Sequence, residues 1–262
     1  MKSAAIGALA VAVGLGLTSR AAAQTQERLP GPERYTLRLE YSELRPTLTG
    51  TAAKGNGGQE GTLIDLVDDL GIAKKRTFEV RGALKIGSGT KIRGSWVPIN
   101  VKGDVFAQST FRFGATRFAR FSEVVSTVKG NYFSAAYEWD FLRSQHGLLG
   151  LLAGGRMVDV DYVIVAPGQG DREQDTLRKP FPVGGLIGRY YAGKLSFEGE
   201  LSMLPAGDRV NFYEGEMAAR LHLSDRLAAG GGYRFFSLRG KQDVDQLSAH
   251  FSGWQFGLEL SL

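Results

Sequence analysis

The chain has 262 residues, with 36 Gly, 8 Pro, 3 His and no Cys, and a formal net charge of +5 from 32 Lys and Arg against 27 Asp and Glu. Without Cys there is no disulfide scaffold, thiolate metal site, Cys nucleophile or lipid-anchored Cys, and three scattered His leave little for metal chemistry. The length suits a single domain, because all-β barrels often exceed the usual domain size.

Residues 1–23 read as a targeting segment. Lys2 supplies a positive start, Ala4 to Leu17 is an apolar run of 14 residues, and Ala21-Ala22-Ala23 are small. The pattern predicts a secretory signal peptide cleaved after Ala23. The run is shorter than the roughly 20 apolar residues that a spanning helix needs, so an uncleaved anchor helix is the weaker reading. No later run approaches that length; the longest is 147–155. The expected product is therefore either soluble outside the cytoplasm or a membrane barrel. Residues 24–33 form a polar leader containing Pro30 and Pro32.

From residue 34 onward, period-2 alternation predicts strands. In 34–45, Tyr35, Leu37, Leu39 and Tyr41 face one way, and Thr36, Arg38, Glu40 and Ser42 the other. A short amphipathic helix is expected at 62–70, where Leu63, Leu66, Val67 and Leu70 fall at helical spacing. Thr62 would cap its start, and Gly71 would take the left-handed position after its end. In 77–86, Phe78, Val80, Leu84 and Ile86 oppose Glu79, Arg81 and Lys85. Strands are expected next at 90–98, 124–141 and 147–165. The last of these changes apolar phase at Gly154-Gly155, which predicts a bulge.

Further strands are expected at 180–191, 195–204, 211–223, 227–239 and 250–262. In the last, Trp254, Phe256, Leu258, Leu260 and Leu262 share one face. That makes ten strands; eight or twelve stay open, because 99–123 could hide a hairpin. All eight prolines fall in the leader, in loops or at strand ends, as the missing ladder donor requires.

The connections alternate. Segments 87–89, 142–146, 192–194 and 224–226 are short; 46–76, 99–123, 166–179 and 240–249 are long, and 205–210 is intermediate. Short turns at one end and long loops at the other are the pattern of an outer-membrane barrel. Alternation alone does not separate this from a secreted soluble barrel binding an apolar ligand. Three features favour the membrane. Strands of about ten residues match a tilted crossing of the hydrocarbon layer. Tyr35, Trp96, Trp139, Phe141, Tyr213, Tyr233, Phe235 and Trp254 lie near strand ends on the apolar face, as interfacial girdles do. The third is the final strand.

Gln255-Phe256-Gly257-Leu258-Glu259-Leu260-Ser261-Leu262 resembles the C-terminal assembly signal of bacterial outer-membrane proteins. A polar residue is followed two positions on by Gly, then by alternating apolar residues to the terminus. Gln255, Gly257, Leu260 and Leu262 take those places, and the last residue is Leu where the family usually has Phe. The resemblance covers eight residues and identifies no subfamily. It implies that barrel assembly machinery reads this strand, and that residues 34–262 form an all-β, antiparallel, up-and-down transmembrane barrel in a bacterial outer membrane.

On this reading the polar faces line the lumen. The expected inward charges are Arg38, Arg81, Lys85, Arg220 and Arg234, against Glu40, Glu79, Glu138, Glu198, Glu200, Glu214, Glu216 and Glu259. A narrow barrel is filled by its side chains, and charges removed from water need partners, so a salt-bridge plug is expected, with Glu198 and Glu200 near Arg220. The excess of acids suggests a narrow cation-preferring, porin-like pore as the alternative. In 109–121, Phe111, Phe113, Phe118 and Phe121 interleave with Arg112, Arg117 and Arg120. Strand extension beyond the membrane is the favoured account. The other is contact between those arginines and lipopolysaccharide phosphates.

An outer-rim hydrolase, protease or lipid hydrolase, needs a His beside a nucleophile or acid. Only His250, near Asp243 and Asp245, is placed at the rim, and no motif surrounds it. No catalytic residue, metal site or cofactor motif is assigned. A monomer contacting outer-membrane lipids, with a structural or loop-mediated binding role and no nucleic-acid partner, is the expectation.

Overall fold

A computed structural model of the chain describes residues 33–72, 76–204, 210–242 and 244–262. The expected signal peptide, the leader up to residue 32 and Asp243 lie outside the described residues. The strands are β1 Leu37–Ala53, β2 Ile64–Asp65, β3 Thr77–Gly87, β4 Thr90–Phe106, β5 Phe111–Phe113, β6 Thr116–Phe118, β7 Glu123–Ser144, β8 Gly147–Ala166, β9 Asp171–Ala192, β10 Leu195–Met203, β11 Val210–His222, β12 Leu227–Gln242 and β13 Asp245–Ser261.

Ten of these form one antiparallel wall with neighbours in chain order: β1, β3, β4, then β7 through β13. The wall closes on itself, because β13 pairs with β1 from Arg38↔Ser261 to Ala53↔Gln246. Closure gives each strand a partner on both sides, which a wall surrounded by hydrocarbon requires. At the seam Gly257 faces Ser42, and a Cβ on it would come within 2.3 Å of the Tyr41 carbonyl oxygen, so the close approach of the two strands requires glycine there.

All ten expected wall strands are present. Their turn ends fall close to the sequence reading, and so do the loop ends of β7, β8, β10 and β11, but other loop ends run much further. β1 reaches Ala53, β4 reaches Phe106, β9 starts at Asp171 and β13 starts at Asp245. Most of the expected loops 166–179 and 240–249 is therefore wall, and so are 46–53 and 99–106. The hairpin that 99–123 could hide exists as β5 and β6, but it forms its own two-stranded sheet and leaves the wall at ten.

The extensions escaped notice because the polarity of the wall inverts partway up long strands such as β4. On β4 the even residues face out and the odd residues face in. Low on the strand Ile92 and Trp96 are outside and exposed while Lys91 is fully buried inside. Higher up, Asn100, Lys102 and Asp104 are the exposed outer residues, and Ile99, Val101 and Val105 line the interior. β8 behaves alike. Leu149 and Leu151 are exposed outside, and above them Val160 and Ile164 are buried inside. The phase change at Gly154-Gly155 is this inversion and not a bulge. β8 keeps unbroken register with both neighbours through those residues, and the register shifts lie at Lys85/Gly87 and Asp140/Leu142.

The helix expected at 62–70 is also absent. Ile64 pairs with Ala52 as part of β2, and a single turn follows, closed by Gly71 N–H to Val67 O at 2.9 Å. Gly71 does take the left-handed conformation, at φ 67°. The residues buried here are Ile64, Leu66, Leu70 and Ile72, whereas Leu63 is 59% exposed. That set fits a cap packed against the barrel mouth and not one helix face. Phe111, Phe113 and Phe118 of the β5–β6 hairpin join it, with Val124 and Ile164 from the wall.

Candidate functional site

The interior is divided into two levels. The level nearer the short turns is a charge network, and it begins with the expected residues. Arg234 reaches Glu79 at 2.6 Å and also bonds Glu214. Arg81 pairs with Glu79 at 2.7 Å and with Glu216. Arg220 reaches Glu40 at 2.9 Å, Glu198 at 3.3 Å and Glu259 at 3.3 Å. Arg38 lies 3.7 Å from Glu259. Glu138 is fully buried. Glu200 does not join Arg220. It stands opposite Glu216 on β11, and its partners are Arg93 at 2.8 Å and Arg156 at 3.6 Å.

Sequence alternation missed six members. Lys91 is wholly enclosed between Glu138 at 2.7 Å and Asp140 at 2.9 Å. Arg93 and Arg156 supply the partners of Glu200, and Arg189 bonds Glu198 and reaches Glu33 at 2.9 Å. Glu33, read as part of a solvated leader, is 1% exposed and also accepts a hydrogen bond from Tyr191. Tyr35, assigned to the outer aromatic girdle, is instead 4% exposed, with Arg38 and Lys85 over its ring. It precedes β1, so strand alternation does not govern it. The other seven expected girdle aromatics are all exposed.

With these additions the network brings nine basic groups into contact with ten acidic ones. The acid excess visible in the sequence is nearly cancelled. One cavity in the network, bounded by Arg38, Glu40, Arg81, Arg93, Glu214 and Arg234, measures about 50 Å³, and a second, beside Glu40, Arg220 and Glu259, about 10 Å³. A water needs roughly 10–15 Å³ by this measure, so the larger has room for a few waters.

Above the network lies an apolar level. Tyr132 joins the two, donating to Glu214 at 3.1 Å while its ring stacks 6.3 Å from Phe236. Phe236 contacts Phe212 at 6.2 Å and Phe251 at 5.3 Å, and Phe212 contacts Phe181 at 4.8 Å. Leu44 and Val97 are buried beside Tyr132. The cap closes this level from above and is tied down by Lys54. Its ammonium donates to Glu173 at 2.8 Å and Asp175 at 2.7 Å, and its carbonyl accepts the Gly114 N–H at 2.9 Å. Partial burial works against the charge on Lys54, but the two carboxylate hydrogen bonds outweigh it and hold its pKa above the usual lysine value. The hydrogen bonds from Lys54 and from the Thr176 N–H hold the Asp175 carboxyl below its usual range.

The three loop arginines do not form one patch. Arg112 is engaged by the Gln59 side chain and the Glu60 carbonyl, Arg117 is exposed, and Arg120 lies 4.3 Å above the ring of Phe121. On the last strand Gln255 points inward and donates to Glu216, while Leu260 and Leu262 are exposed on the outer face. His250 lies on the outer face, its Nε2 3.3 Å from Ser248 Oγ. Asp245 is occupied by the Gly55 N–H at 2.9 Å. His146 sits in an exposed turn, and His222 bonds Ser196 at 2.9 Å. Among the described residues no group of His, Asp and Glu is placed to hold a metal ion.

No family model and no curated protein sequence matches the chain. Solved structures do. The outer membrane protease OmpT from Escherichia coli superposes with a TM-score of 0.57 at 10% identity, over 88% of this chain and 100% of that one. The translocator domain of the autotransporter NalP from Neisseria meningitidis matches at TM-score 0.43 and 13% identity, over 87% of this chain and 88% of that one. Ail from Yersinia pestis matches at TM-score 0.31 and 9% identity, over 84% and 97%. The chain has the ten-stranded fold of a bacterial outer-membrane barrel.

Proposed function

We propose that the protein is a monomeric outer-membrane barrel that conducts no ions and presents its extracellular half as a binding body. A cleaved signal peptide would export it, and barrel assembly machinery would read β13 during insertion. The observation that carries the closed lumen is the balanced network, in which each charge has an opposite partner and the larger cavity has room for a few waters. A cation-preferring pore drew its support from an excess of acids, which the five inward groups beyond Glu33 (Lys91, Arg93, Asp140, Arg156 and Arg189) offset. Arg117 and Arg120, at the outer surface, are the groups placed to meet lipopolysaccharide phosphates.

A rim hydrolase has less support. OmpT is a protease, but at 10% identity the likeness extends to the fold alone. The His250–Ser248 contact lacks a carboxylate to orient the imidazole among the described residues. Planar-bilayer recording tests the closed lumen. The expected result is no stable conductance, in the wild type or in Glu198→Gln. Steady cation-selective current that changes with Glu198→Gln would overturn it.

A further inference from the structure

The cap separates its charges by sign. Residues 106–122, which include the β5–β6 hairpin, carry Arg112, Arg117 and Arg120 and no acid. Residues 59–72 carry Glu60, Asp65, Asp68 and Asp69 and no base. The two segments touch: the Thr62 N–H donates to the Arg112 carbonyl at 2.8 Å, and the Arg112 N–H to Thr62 Oγ1 at 3.0 Å. They nevertheless do not neutralise one another. Arg112 donates to the Gln59 side chain and to the Glu60 carbonyl, not to a carboxylate. The Asp65 carboxylate is spent on the N–H groups of Val67 and Asp68. Glu60, Asp68, Arg117 and Arg120 are exposed, and none has an ion-pair partner among the described residues. The charge network inside the barrel is built the opposite way, with each charge paired.

The hairpin keeps its arginines outward. Arg112 stands directly opposite Arg117, a placement in which like charges repel. Phe111, Phe113 and Phe118 fill the buried face of the hairpin, so the arginines lie on the face turned away from the barrel.

Beyond the aromatic girdle the described residues expose three large apolar side chains, Leu63, Phe106 and Phe121, each more than half exposed. All three lie in or beside these two segments. Phe121 is also the one non-glycine residue among those described with a left-handed backbone, at φ 66°, a conformation that disfavours a bulky side chain. The turn is held there by the Phe121 N–H to the Ala107 carbonyl at 2.8 Å, the Arg120 N–H to Thr110 Oγ1 at 3.1 Å and Ser122 Oγ to the Ala119 carbonyl at 2.6 Å. The strain turns an aromatic ring into water with the Arg120 guanidinium 4.3 Å over it. Such strain persists where the surroundings enforce it, and it clusters at functional positions.

We infer that the cap docks on the cap of a second copy of this chain in an apposed membrane. A surface that carries both signs in separate places is complementary to itself across a two-fold axis. Such an axis sets Arg117 and Arg120 of each copy against Glu60 and Asp68 of the other, and gives Phe121 and Leu63 an apolar contact. Each copy remains a monomer in its own membrane, and many weak contacts between two membranes add through multivalency. The proposal rests on the reading of the extracellular half as a binding body and names its partner.

The test uses the full-length protein in phosphatidylcholine vesicles, with clustering followed by light scattering. The wild type should cluster at low salt and disperse at high salt. Arg117→Glu with Arg120→Glu makes the cap acidic throughout, and Glu60→Lys with Asp68→Lys makes it basic. Vesicles of either double variant alone should not cluster, and mixing the two populations should restore clustering. Phe121→Gly relieves the backbone strain and should stay folded, yet slow clustering by about tenfold, as loss of a central aromatic does. A boiled-versus-unboiled gel shift verifies that each variant is folded. Dispersed wild-type vesicles, double variants that cluster as the wild type does, a mixture that stays dispersed, or clustering undiminished in Phe121→Gly would overturn the proposal. So would a dimer formed within one membrane without clustering. Lipopolysaccharide capture is read on the same vesicles: capture without clustering removes the self-docking and leaves the binding body standing, so the two failures are distinguishable.

Discussion

Trp96 and Val97 are consecutive residues of β4 whose apolar side chains lie on opposite sides of the wall: the indole is outside and 38% exposed, the isopropyl group inside and 8% exposed. Below this pair the strand turns its apolar residues outward, and above it inward. A barrel half in hydrocarbon and half in water requires this change, because the medium outside the wall changes from lipid to water while the backbone alternation does not.

Arginine substitutions on the outer face of β4 should therefore differ by height. Ile92→Arg puts a charge into hydrocarbon and should cost about 2–4 kcal/mol. Asn100→Arg, on the same face but in water, should stay within about 0.5 kcal/mol of wild type. Equilibrium urea unfolding in lipid vesicles measures both.

The charge network should respond to single and paired changes differently. Arg234→Met leaves Glu79 and Glu214 facing each other without their shared guanidinium, and loss of one partner of a buried pair costs roughly 3–5 kcal/mol. Glu79 keeps Arg81 at 2.7 Å and Glu214 keeps Arg156 at 3.0 Å, and adding Glu214→Gln removes one of the two carboxylates that Arg234 shared and should recover part of the loss. The temperature at which the folded gel band disappears reports the order wild type, double variant, single variant.

The cap should be insensitive to pH over a wide window. The depressed Asp175 pKa contributes stability that is present above its unfolded value, about 3.9, and is lost as pH falls through the folded value. The raised Lys54 pKa contributes stability present below about 10.4 and lost as pH rises through its folded value. Exchange protection of the Gly114 amide, which bonds the Lys54 carbonyl, should be flat between these limits and fall below the acid one. Lys54→Met should reduce protection at neutral pH and remove the acid dependence.

Phe118, fully buried in the cap and stacked 5.0 Å from Phe111, should be a large contributor. Phe118→Ala should cost about 3–5 kcal/mol of local stability. It should open residues 54–72 to proteolysis while the heat-modifiable gel shift persists, since the ladder of the wall is untouched.

The wall strands were legible wherever apolar residues kept one phase, as in Leu195, Phe197, Leu201 and Met203 of β10. The upper parts of β1, β4, β9 and β13 were not, because a strand that changes polarity midway breaks the alternation that marks it. Gly154-Gly155 therefore resembled a bulge, and 99–106 resembled a loop. The acidic half of the network was visible in regular alternation, and much of its basic half was not. Lys91 sits just past a Ser-Gly turn, Arg156 at the polarity change, and Arg189 among Tyr and Gly. Glu33 precedes the first strand, where alternation says nothing about which way a side chain points. The cap had the apolar content of a helix, but Ile64, outside the helical face, is the residue that pairs with the wall.

The inversion is tested most directly by nitroxide labels placed singly at 92, 101 and 102 of this Cys-free chain, in reconstituted vesicles, with oxygen and a water-soluble nickel chelate as relaxing agents. The label at 92 should be relaxed by oxygen, that at 102 by the nickel chelate, and that at 101 by neither to any extent. Oxygen-dominated relaxation at 102, or strong nickel relaxation at 92, would contradict a wall that faces lipid below Trp96 and water above it.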